Sequence, residues 1–187
     1  MKRSRLFVNT WLLSGCIIAA CALSACSVEP APPSPYTALI DQPPGFPAQQ
    51  YPPDNIPNDV RVDLGRLLFY TPLLSRDSST ACVNCHYPGA AFTGRDPVSF
   101  GTQRRMGTRN SPSLANVGYK PHLLMEGGVP TLEMQVLVPI QEHAEFDMTM
   151  PEVVTRFANN ATIQRLSIEA YNRPFDAWVL PRAIASF

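Results

Sequence analysis

Apolar and polar positions divide the chain into three stretches. A short greasy run from Trp11 to Leu23, interrupted by small residues, follows a start that carries Lys2, Arg3 and Arg5. Residues 26–57 then lose regular apolar patterning. From Asn58 onward the helical period of 3.6 appears: Val60, Leu64, Leu67 and Leu68 form a stripe bounded by Pro57 and by Thr71-Pro72. A short helix is expected over 80–87, a Gly- and Arg-rich loop over 88–111, and a helical turn over Ser113–Val117. The next helix opens at Pro130 or Thr131 and runs to about Val138, where Pro139 stops or kinks it. Thr149-Met150-Pro151-Glu152 reads as a cap with Pro in the first turn, leading a helix to about Phe157. Residues 163–171 and 181–187 are further helical candidates. Alternating strands and internal repeats are both missing. The expected class is mostly α, with long loops, in a domain large enough for one core.

The first two stretches set the cellular context. A charged start, a short apolar middle and a small-residue end read as an export signal over residues 1–25. The run is too short and too broken to favour a membrane-spanning helix, although a retained signal anchor is the rival reading. Leu23-Ser24-Ala25-Cys26 looks like a bacterial lipoprotein box, with Cys26 as the lipidated residue. Boxes ending at Cys16 and Cys21 fit the same pattern, but Cys26 leaves a full apolar region before it. Residues 26–57 then form a tether. Ten of the chain's 20 prolines lie between Pro30 and Pro57, and such a stretch stays extended and solvated. The expectation is a lipid anchor on the periplasmic side of a bacterial membrane, with a domain over residues 58–187.

Charge and cysteine count narrow the chemistry. Losing residues 1–25 removes three of the 15 basic residues and no acid, which leaves 12 against 15 and a formal charge of −3. That balance gives no support for nucleic-acid binding. Of five cysteines, only Cys82 and Cys85 remain beyond Cys26, so no disulfide framework is expected in the exported domain.

Those two cysteines fall in Cys82-Val83-Asn84-Cys85-His86, a single C-x-x-C-H pattern. A c-type haem needs two thiols to add across its vinyl groups and an imidazole to ligate the iron. Thiols three residues apart reach both vinyls from one helical turn, and His86 follows immediately as proximal ligand. Zinc held by Cys82, Cys85, His122 and His143 is a rival, but those histidines are too widely spaced for a finger. A thioredoxin-like C-x-x-C would want a βαβ context, which the pattern lacks.

A wider likeness surrounds the motif. LGRLLFYTPLLSRDSSTACVNCHYPGAAFTG, RNSPSLANVGY, TLEMQVLVPIQEHAEF and AIASF occur in the order seen in bacterial di-haem cytochrome c peroxidases and their MauG-like relatives. The chain from Asn58 to Phe187 thus resembles the peroxidatic haem domain of that family. The resemblance implies an all-α, cytochrome c-like fold holding one covalent haem c. It also implies a distal Gln and, ten residues later, a distal Glu, which match Gln135 and Glu145. Hydrogen peroxide is the implied oxidant, and the implied electron source is a small protein such as a cytochrome c or a cupredoxin. Asn110 matches an Asn that supports a calcium site between the two family domains. With one domain only half that site exists, so bound calcium is not expected.

Three departures qualify the resemblance. The position of the switchable distal His, sixteen residues after His86, holds Thr102, which suggests an open sixth position on the iron. The family's Trp-Asp-Gly turn reads Met125-Glu126-Gly127. The chain also stops at AIASF, where the first domain would pass to a second haem domain, and no second C-x-x-C-H occurs. The expectation is a peroxidase-like protein in fragment, truncated or single-haem form. Its alternatives are an electron-transfer cytochrome with His/Met ligation and an inactive haem-binding remnant. Met106, Met125, Met134, Met148 and Met150 are the candidate methionine ligands, with ordinary packing as the competing role of each.

Overall fold

In the computed structural model, residue 42 and residues 44–187 are described, and helices account for the regular structure. The signal sequence, Cys26 and most of the tether lie outside the described residues. Among the described residues six α-helices follow in chain order: α1 Asp59–Tyr70, α2 Cys82–Cys85, α3 Leu132–Gln141, α4 Met150–Phe157, α5 Ala161–Tyr171 and α6 Val179–Ser186. No strand forms among the described residues. Three isolated antiparallel bridges, Tyr87–Thr93, Phe100–Met106 and Leu123–Val129, pinch the long loops instead.

α1 begins where Asn58 accepts the Arg61 N–H at 3.0 Å, an N-cap that satisfies one of the orphan donors of the first turn. Its inward face is Val62, Leu64, Gly65, Leu68 and Phe69. Leu64 and Leu68 are fully buried as the apolar stripe predicts, whereas Leu67 is 44% exposed. α1 packs along α6 and α5, and α6 also meets α3. The close approach of α1 and α6 depends on Gly65: a β-carbon there would collide with the carbonyl oxygen of Ala183. Around this crossing the core collects Leu74, Ile140, Phe146, Val153, Phe157, Leu180 and Ala183.

α4 carries the expected cap. The Thr149 hydroxyl accepts the Glu152 N–H, and the Glu152 carboxylate accepts the Thr149 N–H at 2.7 Å, with Pro151 in the first turn. From the last turn of α4, Arg156 donates to the carbonyls of Leu73, Ser75 and Arg76. That fork fixes the short 3-10 turn Pro72–Leu74 and the segment leading toward α2.

Several boundaries differ from the sequence expectation. α3 runs through Pro139 to Gln141 and does not stop near Val138. The returning loop caps the far end of this helix, because Phe146 N–H donates to Pro139 O at 3.2 Å and Met148 N–H to Ile140 O at 2.8 Å, which satisfies two of its last carbonyls. The helix expected over 80–87 shrinks to one turn, with His86 as its C-cap. The turn expected over Ser113–Val117 forms at Val117–Tyr119. Ser113 is diverted, since its hydroxyl donates to Ala91 O at 2.6 Å and accepts the Ala115 N–H. The last two helices each start two residues earlier than expected.

The end of the proline-rich stretch also departs from a wholly solvated spacer. Asn55 is 2% exposed and donates to Glu133 and to the Arg182 carbonyl. Asp54 pairs with Arg182 at 2.7 Å, and the Phe46 ring meets Tyr119 edge-on. A few anchoring side chains therefore hold an otherwise extended, exposed segment against the helices. No described helix is long and apolar enough to cross a membrane.

Candidate haem site

The candidate site lies where α2, the 100–105 loop and the turn after α3 meet. α2 is one helical turn, closed at its start by the Asn84 side chain accepting the Ala81 N–H at 2.7 Å. One turn suffices to present Cys82 and Cys85 together. Both cysteines are free and half-buried. Burial, and secondarily the neighbouring Cys85, pushes the Cys82 thiol up to about 12; burial raises Cys85 as well. Neither thiol is poised as a thiolate, unlike the lowered-pKa cysteine of a redox pair.

His86 ends the turn with one ring nitrogen already engaged. Its Nδ1 lies 3.0 Å from the Phe92 carbonyl oxygen and 3.1 Å from that of Pro112. Only a protonated Nδ1 can satisfy those acceptors, so Nε2 carries the lone pair. Burial lowers the imidazole's pKa, with the two carbonyls partly opposing. A neutral ring oriented by carbonyls on the far nitrogen is what a metal-ligating histidine requires. The Tyr87–Thr93 bridge and a left-handed Phe92 bring the first carbonyl into place.

Glu145 stands within electrostatic reach of both thiols. Partial burial, and then the charge of Glu142, raises its carboxyl above the ordinary range. Its backbone is fixed from two directions: Thr102 N–H donates to Glu145 O at 2.7 Å, and Arg76 N–H donates to Phe146 O at 2.9 Å. Phe146 and Met148, on either side of Asp147, are buried in the core. Asp147 adopts left-handed φ and takes Arg105 at 2.8 Å and Arg76 at 2.9 Å.

Gln135 sits on α3, half-buried, and its Oε1 is buried without a hydrogen-bond partner. An orphaned buried acceptor carries a desolvation cost and marks a place where a further donor belongs. α3 supplies the setting. It is mostly apolar, yet only Ile140 on it is fully buried. A shallow cleft of about 300 Å³ opens beside α2, lined by Ser79, Thr80, Asn84, Phe100, Gly101 and Arg104. Half-exposed apolar side chains on α3, paired thiols, a pre-oriented imidazole and an unpartnered amide oxygen fit a flat, apolar, metal-bearing ring.

The zinc alternative does not assemble. Among the described residues, no three His, Cys, Asp or Glu side chains cluster as a metal site, so His122 and His143 stay apart from the cysteines. His143 instead faces Asp147 and Arg105 at the surface.

Family comparison decides what kind of chain this is. The family model described as di-haem cytochrome c peroxidase matches residues 59–187. The chain belongs to the di-haem cytochrome c peroxidase family. It is similar to the cytochrome-c peroxidase IdrP1 of Denitromonas iodatirespirans, 30% identical over 71% of this chain and 42% of that protein. It is also similar to the methylamine utilization protein MauG of Methylophilus methylotrophus, 25% identical over 72% of this chain and 43% of that protein. The crystal structure of a MauG-like protein associated with microbial copper homeostasis matches with a TM-score of 0.73 at 31% identity, over 79% of this chain and 45% of that one. The chain therefore spans less than half the length of these family members, and its mostly helical fold is that of a MauG-like haem domain.

Seen as a family member, the chain shows three placements that the sequence left open. Thr102, sixteen residues after His86, is fully buried with its hydroxyl on Asp77 at 2.6 Å. Asn110 donates to Asp96 O at 3.3 Å, and Glu126 pairs with Arg109. Among the candidate methionine ligands, Met148 is 3% exposed in the core and Met150 packs against it, whereas Met106, Met125 and Met134 are exposed. The residues that sequence reasoning passed over are Asp77, Arg76 and Arg105. Asp77-x-Ser79 did carry a signal, since an Asp accepting the N–H two residues on is an Asx turn.

Proposed function

We propose that this chain is a c-type haem protein that reduces hydrogen peroxide with electrons from a separate donor protein. Cys82 and Cys85 hold the porphyrin through thioether bonds, and His86 is the proximal ligand. Haem c, when held, supplies a redox-active iron at which peroxide is reduced to two waters by two electrons and two protons. Glu145 moves the proton: its carboxylate takes one from the inner peroxide oxygen and returns it to the outer, leaving oxygen. Burial, and then the charge of Glu142, raises this carboxyl, the direction that favours holding a proton and passing it on. Gln135 orients the peroxide by hydrogen bonding, an assignment supported by its unpartnered Oε1. A half-buried acid within electrostatic reach of both C-x-x-C-H thiols, its carbonyl held by the Thr102 N–H, is the observation that carries this reading.

The donor is a small protein of the cytochrome c or cupredoxin kind. Membrane attachment through lipid on Cys26, on the periplasmic side, supplies the compartment in which such donors and haem attachment occur. Glu145→Gln is the test. It is expected to slow peroxide consumption by about two orders of magnitude while the haem stays attached and the Soret band is unchanged. An unchanged rate removes Glu145 from the chemistry. An absorption band characteristic of methionine-to-iron ligation in the ferric protein would overturn the peroxidase reading in favour of electron transfer.

A further inference from the structure

We infer that Asp77 and Thr102 are positioning residues that fix the Glu145 backbone against the C-x-x-C-H helix, an inference that rests on the peroxidase reading of Glu145. The Asp77 carboxylate gathers four donors. It accepts the Ser79 N–H at 3.1 Å, the Ser79 hydroxyl at 2.6 Å, the Thr102 hydroxyl at 2.6 Å and the Gln103 N–H at 2.7 Å. Ser79 leads through Thr80 and Ala81 directly into Cys82. Thr102 in turn donates its backbone N–H to the Glu145 carbonyl at 2.7 Å. One carboxylate thus ties the approach to the haem-attachment turn to the loop that holds the distal acid.

Neighbouring contacts leave that loop little room to shift. A β-carbon on Gly101 would collide with the carbonyls of Ala144 and Glu145, so the two backbones lie against each other there. Gln103 and Arg104 are both left-handed, a costly pair for residues other than glycine, and the Gln103 N–H is one of the four donors on Asp77. Thr102 is fully buried, so its hydroxyl has no water to turn to if Asp77 is removed. Hydrogen bonds to an ionised carboxylate are stronger than neutral ones, and the four donors hold the Asp77 carboxyl well below the usual range. The consequence is chemical: a general base displaced by about 1 Å from its working position loses about 100-fold in rate.

The test uses haem-loaded full chain and compares Thr102→Val, which keeps the backbone N–H and shape but loses the hydroxyl, with Thr102→Ser, which keeps it. Thr102→Val is expected to slow single-turnover peroxide consumption by about tenfold or more, and Thr102→Ser by less than about twofold. The Thr102 amide should exchange with solvent faster in Thr102→Val only, a readout independent of turnover. Adding Glu145→Gln to Thr102→Val should slow the reaction no further than Glu145→Gln alone. If Thr102→Val fails to load haem, Asp77→Asn carries the same comparison with the same expected slowing. A normal rate in Thr102→Val beside a slow Glu145→Gln chain, or fully multiplicative losses in the double variant, overturns the inference and leaves the peroxidase reading standing. A normal rate in Glu145→Gln sinks both.

Discussion

The helical side built by α1, α4, α5 and α6 and the looped side between Ser78 and Leu124 are held together by different forces. On the helical side Leu64, Leu68, Leu74, Val153, Val179, Leu180 and Ala183 have no exposed surface at all. On the looped side Tyr87, Phe100, Met106 and Leu124 stand exposed. Of the nine described non-glycine residues with positive φ, seven lie between Ser78 and Leu124, so the backbone there is held by hydrogen bonds against its own preference. Apolar burial fixes the first side. The second is a cradle whose shape comes from Asp77, from the carbonyls facing His86 and from three isolated bridges. Such a side suits a flat apolar ligand bonded covalently, because thioether attachment does not depend on a deep pocket.

The strongest way to break this contrast is to remove the covalent attachment. Cys82→Ala combined with Cys85→Ala is expected to abolish covalent haem, read as loss of the Soret band after acid-acetone extraction. Helical content from α1, α4, α5 and α6 should largely survive by circular dichroism, because those helices pack on one another. Retention of covalent haem in the double variant would refute the attachment, and collapse of all helices would show that the two sides are not independent.

A smaller loss is expected from the helical side alone. Leu68→Ala deletes a fully buried side chain and should cost about 2–5 kcal/mol, measured by denaturant unfolding. Gly65→Ala should cost about 1–3 kcal/mol, because the added carbon forces α1 away from Ala183. A Gly65→Ala chain as stable as the parent would mean that α1 and α6 do not approach as closely as their backbones indicate.

The same contrast explains what could be read from sequence. Helices whose order comes from apolar period and caps were legible: Asn58 and Thr149 mark real N-caps, and Leu64, Leu68, Val153 and Phe157 are buried. Pro139 misled because the helix end is capped from a distance: the carbonyls of Pro139 and Ile140 are met by Phe146 and Met148, residues that fold back from beyond the helix end. Ser113 misled because its hydroxyl bonds Ala91, twenty-two positions away. At the candidate site, the thiols and imidazole stand out in the sequence because one local motif contains them, and the fold brings them onto a single helical turn. The carbonyls of Phe92 and Pro112 that orient His86 carry no side-chain signature, and Thr102 looked like a mere departure from a histidine. Long-range hydrogen bonding is what local pattern does not encode.

Between the two sides runs a charged seam whose pH response sharpens the comparison. The Asp147 carboxyl falls from 3.8 to about 2, first through the Arg105 hydrogen bond, with partial desolvation opposing and His143 and Arg76 adding to it. A depressed folded-state pKa gives stability that is present above the ordinary carboxylate range and lost as pH falls through the folded value. The parent chain should therefore lose stability between about pH 4 and about pH 2 more steeply than Asp147→Asn does. Asn tolerates the left-handed backbone at this position, so the variant isolates charge from conformation. Parallel stability curves for the two chains over that window would dismiss the ion cluster as a contributor.

The smallest effect is expected one residue from one of the largest. Leu67 and Leu68 are neighbours on α1, and both belong to the apolar stripe, but Leu67 is 44% exposed and Leu68 is at 0%. The inward face of the helix is set by Leu64, Gly65 and Leu68 against α5 and α6, and Leu67 turns away from that face. Leu67→Gln exchanges one good helix former for another and removes little buried surface, so unfolding free energy should change by no more than about 0.5 kcal/mol. A loss approaching that of Leu68→Ala would mean that this outward face is covered in solution. Unfolding measured over a range of protein concentrations then separates covering by a second copy, which makes the midpoint rise with concentration, from a packing contact within one chain, which does not.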